Sequence, residues 1–182
     1  GGPLTLDGGN LDSLTANLTN FNVNPLIWNT NFTFLGSQNL NLGMGDVTVN
    51  TNGMIVTVNA NTLAIGGPVN DGGLGYPLTI AGAGTLALGG NNTYSGDTTI
   101  SSGTLRIEAA GTLGGGTYAG QITNNGTFSY ASSTAQTLSG VLSGTGSVIK
   151  SGSGQLTLSG NNTYTGNTTI QVGPLELANA VL

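Results

Sequence analysis

The chain has 182 residues; 5% are charged, 37% are hydrophobic, the net charge is −5, and the only basic residues are Arg106 and Lys150. Two cations cannot replace the counterions of a phosphate backbone or hold a protein on an anionic bilayer, which excludes nucleic acid and membrane surfaces as partners. Cysteine and histidine are absent, so disulfides, thiolate metal sites and Ser-His-Asp or Cys-His catalysis are excluded, and no apolar run reaches the roughly 18 residues of a membrane span.

The apolar residues fall in short alternating runs. In chain order these are Leu4–Leu6, Phe32–Phe34, Leu40–Leu42, Val47–Val49, Ile55–Val58, Leu78–Ile80, Leu86–Leu88, Leu105–Ile107, Leu156–Leu158 and Leu175–Leu177. Period-two alternation marks strands with one buried face. Clusters such as Gly66-Gly67-Pro68, Gly114-Gly115-Gly116 and Asn124-Asn125-Gly126 supply turns between them. No segment keeps a 3.6-residue period over three turns, so the chain reads as all-β.

Repetition decides which all-β architecture this is. The segment starting at Gly84 (GTLALGGNNTYSGDTTISSGTLRIEAA) recurs from Gly154 (GQLTLSGNNTYTGNTTIQVGPLELANA), 70 residues on, with 15 of 27 positions identical. Strands this short, repeated between Gly/Asn turns, predict one β-solenoid over residues 1–182 with about eight coils of roughly 20 to 25 residues. Leu86 and Leu88 are expected inside with Ala87 outside, Gly90-Asn91-Asn92 is expected at a corner, and Asn residues could stack as amide ladders.

The run Leu158-Ser159-Gly160-Asn161-Asn162-Thr163-Tyr164-Thr165-Gly166, followed by Asn167-Thr168-Thr169-Ile170, resembles the autotransporter-associated β-strand repeat of bacterial passenger domains. The likeness covers 78–113 and 137–177, while 1–77 share only the style of short strands in less regular coils. It implies a right-handed parallel β-helix, export through the cell envelope, an extracellular or cell-surface setting, and a repeat that serves as scaffold.

No cofactor, metal or catalytic group is expected. The acids Asp7, Asp12, Asp46, Asp71, Asp97, Glu108 and Glu176 are scattered singly, which reads as solvated surface, whereas glycosidic chemistry needs paired carboxylates. Gly72-Gly73-Leu74-Gly75-Tyr76 begins like a calcium-binding nonapeptide but lacks its Asp, so a plain turn is expected. The threonines are read as out of the Thr-x-Thr register that an ice-binding face needs. Aromatic candidates for sugar stacking are Trp28, Tyr94 and Tyr164, with Phe21, Phe32 and Phe34 near the first; filling corners or the core is the competing reading. The strongest expectation concerns the ends. Gly2-Pro3-Leu4-Thr5-Leu6 reads like Gly173-Pro174-Leu175-Glu176-Leu177, and neither stretch is a cap. Gly2, Pro3, Leu4, Leu6, Gly173, Pro174, Leu175 and Leu177 are therefore the candidate residues for head-to-tail association of the chain with itself, as in a fibre or stalk. An adhesin segment binding glycans or host matrix is the alternative.

Overall fold

The structure, a computed structural model, describes residues 1–20 and 23–179. It is a parallel β-solenoid with three faces, and most coils lay a strand on each. The third face shows the repeat most completely, with eight strands in one sheet: Leu18–Thr19, Leu40–Asn41, Thr62–Ile65, Thr85–Leu88, Thr104–Ile107, Thr127–Tyr130, Ser147–Lys150 and Thr168–Ile170. The second face stacks Asn10–Leu11, Phe32–Phe34, Met54–Val58, Leu78–Ala81, Thr98–Ile100, Ile122–Asn124 and Leu142–Ser143. The pairings between named strands are parallel throughout. The only helical element among the described residues is a single 3-10 turn, Gly114–Gly116.

That turn interrupts the first face. Leu4–Leu6, Leu26–Trp28, Val47–Val49 and Val69–Asn70 form one sheet, and Thr117–Tyr118, Gln136–Leu138, Leu156–Leu158 and Leu175–Leu177 form another. Thr93 N–H donates to Val69 O at 2.9 Å, and Asn91 bridges Thr112. The Gln136 side chain then takes over where the backbone ladder stops, accepting from Leu113 N–H at 2.7 Å. The two sheets are thus halves of one face joined by side-chain amides. Gly90-Asn91-Asn92 is accordingly more than a corner: the chain crosses the first face there, a strandless passage that alternation could not reveal.

Inward positions make a continuous apolar column. Leu63, Leu86, Leu105 and Phe128 stack in register on the third face and are fully buried. Ala87 departs from the expectation. It alternates with the inward Leu86 and Leu88 yet has no exposed surface and stands outside the apolar cluster. It sits in register between Ala64 and Arg106, and a long neighbour covers so small a side chain. Several inward positions are polar: Thr98, Asn92, Asn124 and Gln136 are buried, each hydrogen-bonded, as buried polar groups must be.

Lys150 is the costliest of these. It points inward between Tyr130 and Ile170 in the third-face register and is fully buried. Its Nζ donates to the carbonyls of Gly152 and Val172, the latter at 3.0 Å, and lies 5.7 Å from the Tyr130 ring centroid. Burial lowers its pKa below the ordinary lysine value of 10.5. The unfolded chain therefore holds this proton where the folded chain has begun to lose it, so Lys150 adds stability as pH rises towards 10.5. Denaturant unfolding of wild type and Lys150→Met is expected to show the difference shifting in favour of wild type between pH 7 and 10.

Glycine packs the corners. Between the second and third faces Gly103, Gly126, Gly146 and Gly166 stand one above another. A Cβ on Gly126 would lie 2.4 Å from Gly103 O, on Gly146 2.3 Å from Gly126 O, and on Gly166 2.2 Å from Gly146 O. The same happens between the first and second faces, where Gly140 and Gly160 would meet the carbonyls of Gly120 and Gly140 at 2.2 Å. Between the third and first, Gly67 would meet Gly45 O at 2.1 Å and Gly90 would meet Gly67 O at 2.4 Å. All three corners are built alike.

Candidate functional site

Equivalent corners let the repeat move between faces. In the first copy Leu86–Leu88 lies on the third face, and its counterpart Leu156–Leu158 lies on the first. Thr98–Ile100 is on the second face, Thr168–Ile170 on the third. Gly96 turns from first to second face, and its counterpart Gly166 turns from second to third. The 70-residue offset is therefore three coils and one face, not three whole coils.

Within each copy the shared residues do the same work. Asn92 Oδ1 accepts from Val69 N–H at 3.0 Å, and Asn162 Oδ1 accepts from Leu142 N–H at 2.8 Å, each in the preceding coil. Tyr94 Oη lies 3.0 Å from Thr98 Oγ1, and Tyr164 Oη lies 2.7 Å from Thr168 Oγ1. Thr98 Oγ1 also meets Tyr118 Oη at 2.7 Å, Tyr118 Oη donates to Gly96 O, and the Tyr94 and Tyr118 rings pack edge to face at 5.8 Å. Burial raises the Tyr94 pKa to about 12 and pushes Tyr118 higher still, with the Tyr94 charge adding to it. Sequence reading missed this polar clamp, although the Tyr–Thr spacing of four in both copies was its signal.

The aromatic candidates for sugar stacking are therefore corrected. Trp28 is 0% exposed, Tyr94 1% and Tyr164 7%. Trp28 packs edge to face on Phe32 at 5.3 Å, and Phe32 and Phe34 are core residues. Alternation sends these rings inward, which leaves almost no ring face for a sugar to stack on. Phe21 lies outside the described residues.

Asp71 also departs from the solvated-surface expectation. It is 2% exposed, with Oδ1 accepting from Gly73 N–H and Oδ2 from Tyr76 N–H, both at 2.9 Å. The Gly72–Tyr76 turn thus closes its amides on the chain's own carboxylate. Asp12 is half-buried and ties two coils together, and hydrogen bonds from Ser37 Oγ and N–H hold its pKa below the usual 3.8. Asp97 is exposed and accepts from Gln121 N–H at 2.8 Å; Glu108 pairs with Arg106 at 2.7 Å.

Amide ladders form, but in the first three coils. Asn29 Nδ2 donates to Asp7 Oδ1 at 2.6 Å and Asn50 Nδ2 to Asn29 Oδ1 at 2.8 Å, while Asn39 Nδ2 donates to Asn17 Oδ1 at 2.9 Å. The threonines keep better register than expected. Thr62, Thr85, Thr104, Thr127 and Ser147 form one outward rank, Thr79, Thr99, Thr123 and Ser143 a second, and Thr117, Thr137 and Thr157 a third. The neighbouring third-face rank reads Ala64, Ala87, Arg106, Ser129, Ile149. The first four strands thus give Thr-x-Ala, Arg or Ser and the fifth Ser-x-Ile, rather than Thr-x-Thr.

At the ends, Leu4–Leu6 and Leu175–Leu177 lie on the same face, and each has a pairing partner on one side only. Gly2, Pro3, Gly173 and Pro174 are exposed, Leu4 and Leu177 are 37% and 40% exposed, Leu175 is half-buried and Leu6 belongs to the core.

Two segments, 78–107 and 148–177, match the family described as the passenger-associated-transport-repeat. Over 124 residues the chain is 41% identical to the adhesin BmaC autotransporter of Brucella suis biovar 1 (strain 1330); the match covers 57% of this chain and 4% of that protein. No solved structure matches. The chain is thus a parallel β-solenoid that carries two segments similar to the passenger-associated-transport-repeat and a stretch similar to an autotransporter adhesin, of which it spans only a small part. Its two matched segments belong to the passenger-associated-transport-repeat family. Among the described residues, no helix is long and apolar enough to cross a membrane.

Proposed function

We propose that this chain is a scaffold segment of a surface passenger, a rod of eight coils about 40 Å long at about 4.8 Å per coil, which continues by stacking further coils end to end. One buried atom carries this reading. In the first copy Asn92 Nδ2 donates to Gly90 O and, in the next coil, to Thr112 O, both at 2.9 Å. In the second copy Asn162 Nδ2 is buried with no partner among the described residues. A buried amide left unpaired costs about 1–3 kcal/mol, and the coil stacked next on Asn162, where position 182 matches Thr112 and lies outside the described residues, would bring the carbonyl that satisfies it. The exposed Ile170, Val172 and Leu177 at that end are apolar in the same direction.

The coil can come from the same polypeptide or from a second copy, as a head-to-tail filament. Sedimentation velocity and electron microscopy of the purified chain separate the two. Concentration-dependent rods in whole-unit lengths, lost in the Ile170→Lys/Leu177→Lys variant, are expected for association between copies. Dispersed monomers at millimolar concentration would overturn it.

A second reading, adhesion, is supported by the name of the relative and by the nearly uncharged faces of stacked amides and hydroxyls. It places binding on the sides of the rod, since the buried aromatics cannot provide it.

A further inference from the structure

On the third face two small residues break the outward rank. Asn41 is followed in register by Ala64, Ala87 and then Arg106. The alanines leave a trough, and Arg106 reaches back across the buried Ala87 to line it beside Ala64 and Thr62. The other wall is the stacked amide pair Asn17 and Asn39, together with Asn41. The groove holds about 220 Å³, room for one sugar ring.

The chemistry of the walls is one-sided. Asn39 uses both its Nδ2 and its oxygen, donating to Asn17 Oδ1 at 2.9 Å and accepting from Thr62 N–H at 3.0 Å. Asn17 and Asn41 use only their oxygens, Asn41 Oδ1 accepting from Gly43 N–H at 2.8 Å. Both Nδ2 groups remain as donors. Arg106 spends Nε and Nη2 on one Glu108 oxygen, at 2.8 and 2.7 Å, which leaves the rest of its five N–H donors. With Lys150 buried, Arg106 is the one side-chain cation that a ligand can reach, in a chain of net charge −5. Donors of this kind, with a guanidinium among them, fit an acceptor-rich anion, and the planar fork favours a carboxylate.

We propose that this groove binds a carboxylate-bearing sugar residue of a glycan, the acid seated on Arg106 and the ring hydroxyls on Asn17 and Asn41. The proposal names the ligand class and site for the adhesive reading and rests on that reading for its biological setting.

The test uses the whole chain and tri-galacturonate, followed by amide chemical-shift titration, with its fully methyl-esterified form as neutral comparator. Weak saturable binding centred on residues 17–19, 39–41 and 62–64 is expected. It should fall at least about tenfold with the ester, or with Arg106→Gln, as follows from losing a charge-assisted pair. Arg106→Gln removes a half-exposed ion pair and keeps most of the apolar stem that covers Ala87, so the fold is expected to hold, with unchanged circular dichroism as the check. No shifts at 10 mM triuronate (roughly the millimolar limit of useful affinity), or binding indifferent to the ester and to Arg106→Gln, would overturn the proposal. Cells displaying the chain separate the two ideas. Adhesion that Arg106→Gln leaves intact sinks the groove and keeps the adhesive reading, while Arg106-dependent triuronate binding without adhesion does the reverse.

Discussion

Gly146→Ala is expected to destabilise the solenoid by on the order of 3 kcal/mol, at the upper end of overpacking costs. The new methyl carbon would stand 2.3 Å from Gly126 O and 2.6 Å from Asn124 Oδ1. The first obstacle is backbone in the neighbouring coil, already fixed by its own sheet partners, so the site cannot relax by turning a side chain. Moving it opens the corner on both sides, because Gly166 sits against Gly146 O in the same way. For a chain of this size the loss corresponds to roughly 6–12 °C in Tm. Gly2→Ala, with nothing within 4 Å of the added carbon, is the matched control and should leave Tm unchanged. Thermal unfolding by circular dichroism reads both.

Alkaline unfolding is the second large effect. Tyr94, Tyr118 and Tyr130 all have pKa values raised above 10.0, each first by burial. The folded state holds these protons where the unfolded chain releases them, so their contribution is full below pH 10 and is lost above it. For Tyr94, raised to about 12, the loss is about 3 kcal/mol; Tyr118 adds to it. Denaturant melts at pH 8 and pH 11.5 should show a steep fall for wild type and a shallower one for Tyr94→Phe. The Lys150 term has the opposite sign but is common to both proteins and cancels in the comparison.

Much of the fold was legible because a solenoid writes its geometry into short-range pattern. Each alternating run named from the sequence falls at a strand, from Leu4–Leu6 to Leu175–Leu177, and the 70-residue recurrence pointed to coil-on-coil stacking without giving its register. Strands with polar inward residues escaped notice. Ile122–Asn124 buries an asparagine and Gln136–Leu138 a glutamine, so their alternation is broken where a side chain replaces backbone pairing. The face on which each copy lies was not legible either. It depends on the summed lengths of the corners between copies, including the Gly114–Gly116 turn, and no local pattern reports that sum. The aromatics misled because Tyr94 and Tyr164 stand among Asn, Thr and Ser; only coil closure shows that alternation carries them inward. The groove on the third face joins residues from 17 to 106 through register alone, which puts it beyond any sequence spacing.

The most direct test is a cysteine pair, in a chain with no cysteine of its own. Thr169 lies in register with Ile149 on the third face. Had the second copy kept the phase of the first, Thr169 would stack beside Ser143 on the second face, as Thr99 does beside Thr123. Adjacent strands about 4.8 Å apart suit a disulfide, which spans about 4.4–6.8 Å between Cα atoms. Under mild oxidation, Ile149→Cys/Thr169→Cys should cross-link in the folded chain and Ser143→Cys/Thr169→Cys should not. The reverse outcome would contradict a solenoid with interchangeable faces.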